Sequence, residues 1–118
     1  MNDRTCAAAV HAVDGTAIIK LTGEVDGSAA AVLTSAYQQA AADGSAQTVV
    51  LDFARVDYIN STGIALIVSV LAQARAQRRK VVASGLSEHY REIFDITRLS
   101  DFIEVFGDLD TALQMQGH

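Results

Sequence analysis

The sequence predicts an α/β fold: a mixed, mostly parallel β-sheet of about five strands covered by about four helices. Three observations carry that prediction. Two apolar runs near the start are joined by Asp14-Gly15, a pair that supplies the positive φ angles of a tight hairpin. After that hairpin, strand-like and helix-like segments alternate to the end, which demands crossovers and therefore parallel neighbours. The length of 118 residues is typical of one domain, so residues 1–118 are read as a single unit.

Each element has its own signal. "AAAVHAV" and "TAIIKLTG" flank the Asp-Gly pair and form the two strands of the hairpin, and "GEVDGS" follows as a loop. Ser28 is placed to cap the helix "AAAVLTSAYQQAAADG", whose alanines favour helix and whose Gly44 ends it. Val32, Leu33, Ala36, Tyr37 and Ala40 recur at helical spacing and mark its buried face. "QTVVLDF" is β-branched and short, the mark of a central strand, and "ARVDYINST" reads as the loop after it. Residues 61–79 are helical in composition, with Ile64, Ile67, Val68 and Leu71 on one face and Leu66 and Val70 widening it. The first two turns of that helix are therefore expected to be buried on most sides. "KVVASGL" is a strand, "SEHYREIFDIT" a helix capped by Ser87, "DFIEVF" a last strand, and "GDLDTALQM" a helix begun by Asp108. Proline is absent, where average usage gives about six at this length, and neither a linker nor a repeat is visible.

Composition excludes several classes. Half of the residues are hydrophobic and 19% are charged, with a formal net charge of −5, which is globular rather than disordered. Nine cations against fourteen anions do not suit direct nucleic acid binding. The one basic cluster, "RAQRRK" at 75–80, reads as the cationic end of its helix. The longest apolar stretch, residues 64–72, is far below the roughly 20 residues of a membrane span, and the N-terminus has no signal-peptide pattern. Cys6 is alone, which fits a reducing, cytoplasmic setting, and only Arg4 lies near it to activate a thiol. His11, His89 and His118 have no metal spacing with one another or with Cys6; no metal, cofactor or catalytic activity is expected. A Gly-rich phosphate loop is also missing.

Functional surface in open sheets gathers at the carboxyl ends of the strands, and two loops qualify: residues 23–28 and 57–63. The second contains Asn60-Ser61-Thr62-Gly63 at the start of a helix. One polar side chain suffices to cap a helix. Capping explains neither the adjacent hydroxyls of Ser61 and Thr62 nor Gly63, which lets another group approach the backbone closely. The residues alone leave two readings open, a capping cluster or a site of recognition or phosphorylation.

"VVLDFARVDYINSTGIALIVSVLAQAR" resembles the central motif of the STAS family, named for sulfate transporters and anti-sigma factor antagonists. "IIKLTGEVD" is similar to the family's early strand and turn, and "SGLSEHYREIFDITRLSDFIEVF" to its closing segment, so the resemblance runs from about residue 8 to 114. It implies a STAS-like sheet and an anti-sigma factor antagonist. Such a protein binds an anti-sigma factor that is also a serine kinase, frees a sigma factor for transcription, and is switched off by phosphorylation. On this resemblance Ser61 is the phosphoacceptor, and Asp26, Asn60, Ser61, Thr62 and Gly63 are partner-binding residues. A serine phosphatase is a further implied partner. The sequence departs from the family in one place: Asn60 stands where Asp is usual, keeping the hydrogen-bonding shape without the charge. The alternative within the family is a scaffold in a partner-switching complex that is not phosphorylated.

A receiver domain is the rival fold. It would place a phosphoacceptor where Asp52 follows "TVVL", but its acidic pair and its late lysine have no counterparts. Asp52 is read as fixing the next loop through backbone hydrogen bonds. The apolar N-terminal strand is read as an exposed edge, consistent with a monomer or weak homodimer.

Overall fold

The computed structural model describes residues 5–42, 44 and 46–116. His118 and Arg4 lie outside them. The chain runs β1 (Ala7–Val13), β2 (Thr16–Val25), a 3-10 turn (Gly27–Ala29), α1 (Ala30–Ala41), β3 (Thr48–Ile59) and α2 (Ser61–Ala76). It continues through β4 (Lys80–Ser84), α3 (Glu88–Ile96), a second 3-10 turn (Leu99–Asp101), β5 (Glu104–Phe106) and α4 (Leu109–Gln114). The expected order of strands and helices is therefore observed.

The sheet order is β1-β2-β3-β4-β5. β1 pairs antiparallel with β2, joined by Asp14 (φ 45°) and Gly15 (φ 81°), and every other pair is parallel. Each parallel crossover steps the same way across the sheet. Right-handed crossovers then require α1, α2 and α3 to lie on one face. They do: Leu33 and Tyr37 of α1, Ile67 and Val70 of α2, and Phe94 of α3 share one core with Ile19, Leu21, Leu51 and Phe53. Phe53 and Phe94 meet edge to face at 6.3 Å. α4, which follows the last strand and is free of that constraint, covers the opposite face over Ile18, Val50 and Val82.

Several boundaries differ from expectation. β3 runs on through residues 54–59, which the sequence reads as loop, because this segment pairs with the second half of β2: Arg55 opposite Thr22, Tyr58 opposite Glu24, Ile59 opposite Val25. β2 likewise extends to Val25, through part of the expected "GEVDGS" loop. The expected last strand is cut to Glu104–Phe106: Asp101 closes the second 3-10 turn, and Phe102 and Ile103 lead from it into the strand. Ser28 does not cap α1. Asp26 caps the 3-10 turn that precedes α1, and Ala29, at the N-cap of α1, offers no side-chain hydrogen bond. Nor is α2 buried on most sides. Its inward face is Gly63, Ile67, Val70 and Ala74, and Val68 is 46% exposed. The buried stripe is rotated from the expected one because the sheet and α1 contact α2 along one side only.

Asp52 is buried and bonds the backbone just after it, as expected, although that segment is strand rather than loop. Its carboxylate accepts from the Ala54 N–H and the Ser84 hydroxyl, both at 3.2 Å, supporting the register shift where β3 bulges against β2. No described helix is long and apolar enough to cross a membrane.

Candidate functional site

β2 and β3 are parallel neighbours, so their carboxyl ends, Val25 and Ile59, deliver the 26–28 turn and the start of α2 to the same edge of the sheet. One hydrogen bond and two close approaches at glycine bring the two loops together. The Asn60 N–H donates to the Val25 carbonyl at 3.2 Å. Gly63 lies directly on that carbonyl: a Cβ there would sit 2.0 Å from the Val25 oxygen. A Cβ on Gly27 would stand 3.5 Å from the Thr62 methyl. The close approach that Gly63 signalled in the sequence is thus the backbone of the neighbouring strand.

Asn60 is the N-cap of α2. Its backbone is extended, and its Oδ1 accepts from the Gly63 N–H at 2.8 Å, satisfying one of the free donors of the first turn. With that task taken by Asn60, the hydroxyls of Ser61 and Thr62 are not needed for capping, and both residues are exposed. Asp26 is fixed by its own turn, accepting at one carboxylate oxygen from the Ser28 hydroxyl (2.6 Å) and the Ser28 N–H (2.9 Å). Those bonds, the hydroxyl first, hold its carboxyl below the usual carboxylate range, so it is ionised at neutral pH. The structure therefore brings all five sequence-predicted residues, Asp26, Asn60, Ser61, Thr62 and Gly63, to one edge. Asn60 and Gly63 are structural there, while Ser61 and Thr62 are presented outward.

Two residues at this edge were not singled out from the sequence. Tyr58, 48% exposed, stands opposite Glu24 in the β2–β3 register; its signal was an aromatic two residues before the polar cluster. Tyr90 of α3 accepts the Ile59 N–H at its hydroxyl, 3.0 Å away, and so secures the last residue of β3 just ahead of Asn60. No local signal could have found it, because the bond spans 31 residues.

Cys6 is buried and its thiol is pushed up, first by burial and then by the charge of Asp26, the opposite of what reactivity requires. Among the described residues no group of three or more His, Cys, Asp or Glu is placed to hold a metal ion.

Comparison with known proteins places this geometry. The family described as Mlab, STAS domain matches residues 8–110. BtrV of Bordetella bronchiseptica, named as an anti-sigma factor antagonist, is 37% identical over 94 residues, spanning 80% of this chain and 78% of its own. The crystal structure of an anti-sigma factor antagonist from Mycobacterium paratuberculosis superposes with a TM-score of 0.78 at 23% identity, covering 97% of this chain and 96% of that one. The Bacillus cell fate determinant SpoIIAA in its phosphorylated form has the same fold, with a TM-score of 0.71 at 20% identity over 92% of this chain and 98% of its own.

Proposed function

The chain belongs to the STAS domain family, and from that premise we propose that it is an anti-sigma factor antagonist, docking on an anti-sigma factor kinase through the edge formed by residues 26 and 60–63 and released by phosphorylation of Ser61. The name of BtrV supports the first half, and the phosphorylated form of SpoIIAA supports the second. The observation that carries the reading is an exposed serine at the first position of α2, not required for capping, at the same edge as an ionised aspartate.

The physics of a switch follows from that position. Phosphorylation adds about −1.5 to −2 charge at neutral pH. The helix N-terminus tolerates a dianion, because its free N–H groups and macrodipole face it, so the domain itself stays folded. The cost falls on the complex. A phosphate pressed into a dry interface next to Asp26 and Glu24 must be desolvated against like charge, on the order of 2–5 kcal/mol. At about 1.4 kcal/mol per tenfold, affinity drops by about 30- to several-thousand-fold.

Incubation with ATP and the cognate kinase, read by intact mass, should add one phosphate located at Ser61, and Ser61→Ala should add none. Calorimetry should find Ser61→Ala binding like the native chain and Ser61→Asp binding more weakly. Equal affinity of all three forms sinks the switch. Asn60, in place of the usual Asp, favours a second reading, a scaffold that uses the same edge without phosphate. A tight complex that never acquires phosphate selects it.

A further inference from the structure

At the far end of α2 from Ser61, a groove of about 760 Å³ opens between α2 and the segment joining α3 to β5. Its size falls within the range of small-molecule sites, roughly 300–1,000 Å³. Its walls are apolar: Val68 and Leu71 on one side face Phe102 and Ile103 on the other. Val68 and Phe102 remain 46% and 65% exposed, so two large hydrophobic side chains stand open to water across one cleft. The rim has the opposite sign to the whole protein. Four cations, Arg75, Arg79, Lys80 and Arg98, face two acids, Asp101 and Glu104, in a chain of net charge −5. Both acids are spent on ion pairs, Arg98 with Asp101 at 2.9 Å and Lys80 with Glu104 at 3.4 Å. Arg79 is turned toward backbone, donating to the carbonyls of Ala46 and Ala41. Arg75, on the exposed side of the last turn of α2, has no ion pair among the described residues.

We propose that this groove is a binding site for a single-chain amphiphilic anion, a medium- or long-chain carboxylate, its chain lying between Leu71 and Phe102 and its head group on Arg75. Charge complementarity selects the head: guanidinium binds carboxylate through paired N–H donors, and the local positive excess favours an anion. The apolar walls select the tail, whose burial takes the exposed faces of Val68 and Phe102 out of water. Arg75 lies fourteen residues beyond Ser61 on the same helix, about 21 Å along its axis, so the site is separate from the edge proposed to meet the kinase.

The test uses the full chain with laurate below its micelle concentration, followed by calorimetry and by amide shifts in NMR spectra. One laurate should bind per chain, with shifts centred on residues 68–75 and 97–104. Acetate, which has the head alone, should not bind, and dodecylamine, which carries the opposite charge, should bind at least tenfold more weakly. Arg75→Gln, a change on an exposed helix surface, should weaken laurate about tenfold or more, as loss of a charged hydrogen bond does. Phe102→Ser should weaken it about tenfold through lost burial, and Ser61→Asp should leave it unchanged. The proposal is overturned by shifts centred elsewhere, by dodecylamine binding as tightly as laurate, or by binding only to anionic vesicles. Displacement of laurate by an acidic amphipathic peptide that binds more tightly overturns it in favour of a protein partner.

Discussion

At the scale of single residues, Gly63 shows how little of a site can be replaced. Any Cβ there collides with the Val25 carbonyl at 2.0 Å, and backbone cannot step aside as a side-chain tip can. Gly63→Ala should therefore force α2 off the end of β2 and cost about 3 kcal/mol, read as a fall in the urea midpoint. Asn60 is more permissive, since its task is to accept one hydrogen bond from the Gly63 N–H. Asn60→Ala should cost about 1 kcal/mol, whereas Asn60→Asp keeps an acceptor and adds a charge that suits a helix N-terminus, leaving the midpoint unchanged or higher. A drop for Asn60→Asp as large as that for Asn60→Ala would refute the capping assignment. Both roles were half legible in the sequence. The cap is local, four consecutive residues, and could be read. Gly63 signalled that something comes close, but the group that does so is 38 positions earlier in the chain, and no local pattern names it.

At the scale of elements, what the sequence concealed was pairing at a distance. The "ARVDYI" part of β3 is polar and mostly exposed, so it reads as loop; it is strand because the end of β2 supplies its hydrogen-bond partners. The rotated stripe of α2 has the same cause, since an apolar helix does not reveal which of its sides the sheet will take. The caps of α3 and α4, Ser87 and Asp108, were legible because each bonds a backbone N–H only three residues on. Tyr90 ties these elements together. Tyr90→Phe strands the Ile59 N–H at a buried position and should cost about 1–3 kcal/mol, with hydrogen exchange of the 59–61 amides rising more than that of β4. The 3-10 turn before α1 carries a pH signature. Hydrogen bonds from Ser28 depress the Asp26 carboxyl in the folded protein. Its contribution is therefore complete above the unfolded carboxylate pKa, about 3.9, and is lost as pH falls through the lower folded value. Asp26→Asn removes that contribution, so its thermal midpoint should fall less between pH 5 and pH 2 than that of the native chain.

At the scale of the whole molecule, three right-handed crossovers stack α1, α2 and α3 on one face and leave every parallel strand ending at one edge. That arrangement separates the core from the proposed docking edge: the core lies beneath the helices, while Ser61, Thr62 and Tyr58 stand outside it. Ser61→Asp should accordingly behave in opposite ways in two measurements. Its thermal midpoint should equal or exceed that of the native chain, because a negative charge at the first turn of α2 meets free N–H groups and contributes typically 0.3–1 kcal/mol. On the proposed docking mode its affinity for the anti-sigma factor should fall, because the same charge would lie against the partner at the edge that also carries Asp26. A lowered midpoint would mean that the loss of binding came from damage to the fold, and a fall in affinity that vanished at high salt would mean distant repulsion rather than an ion trapped in the contact. Only an unaltered fold together with a salt-resistant loss of affinity fits a phosphate that acts on the complex.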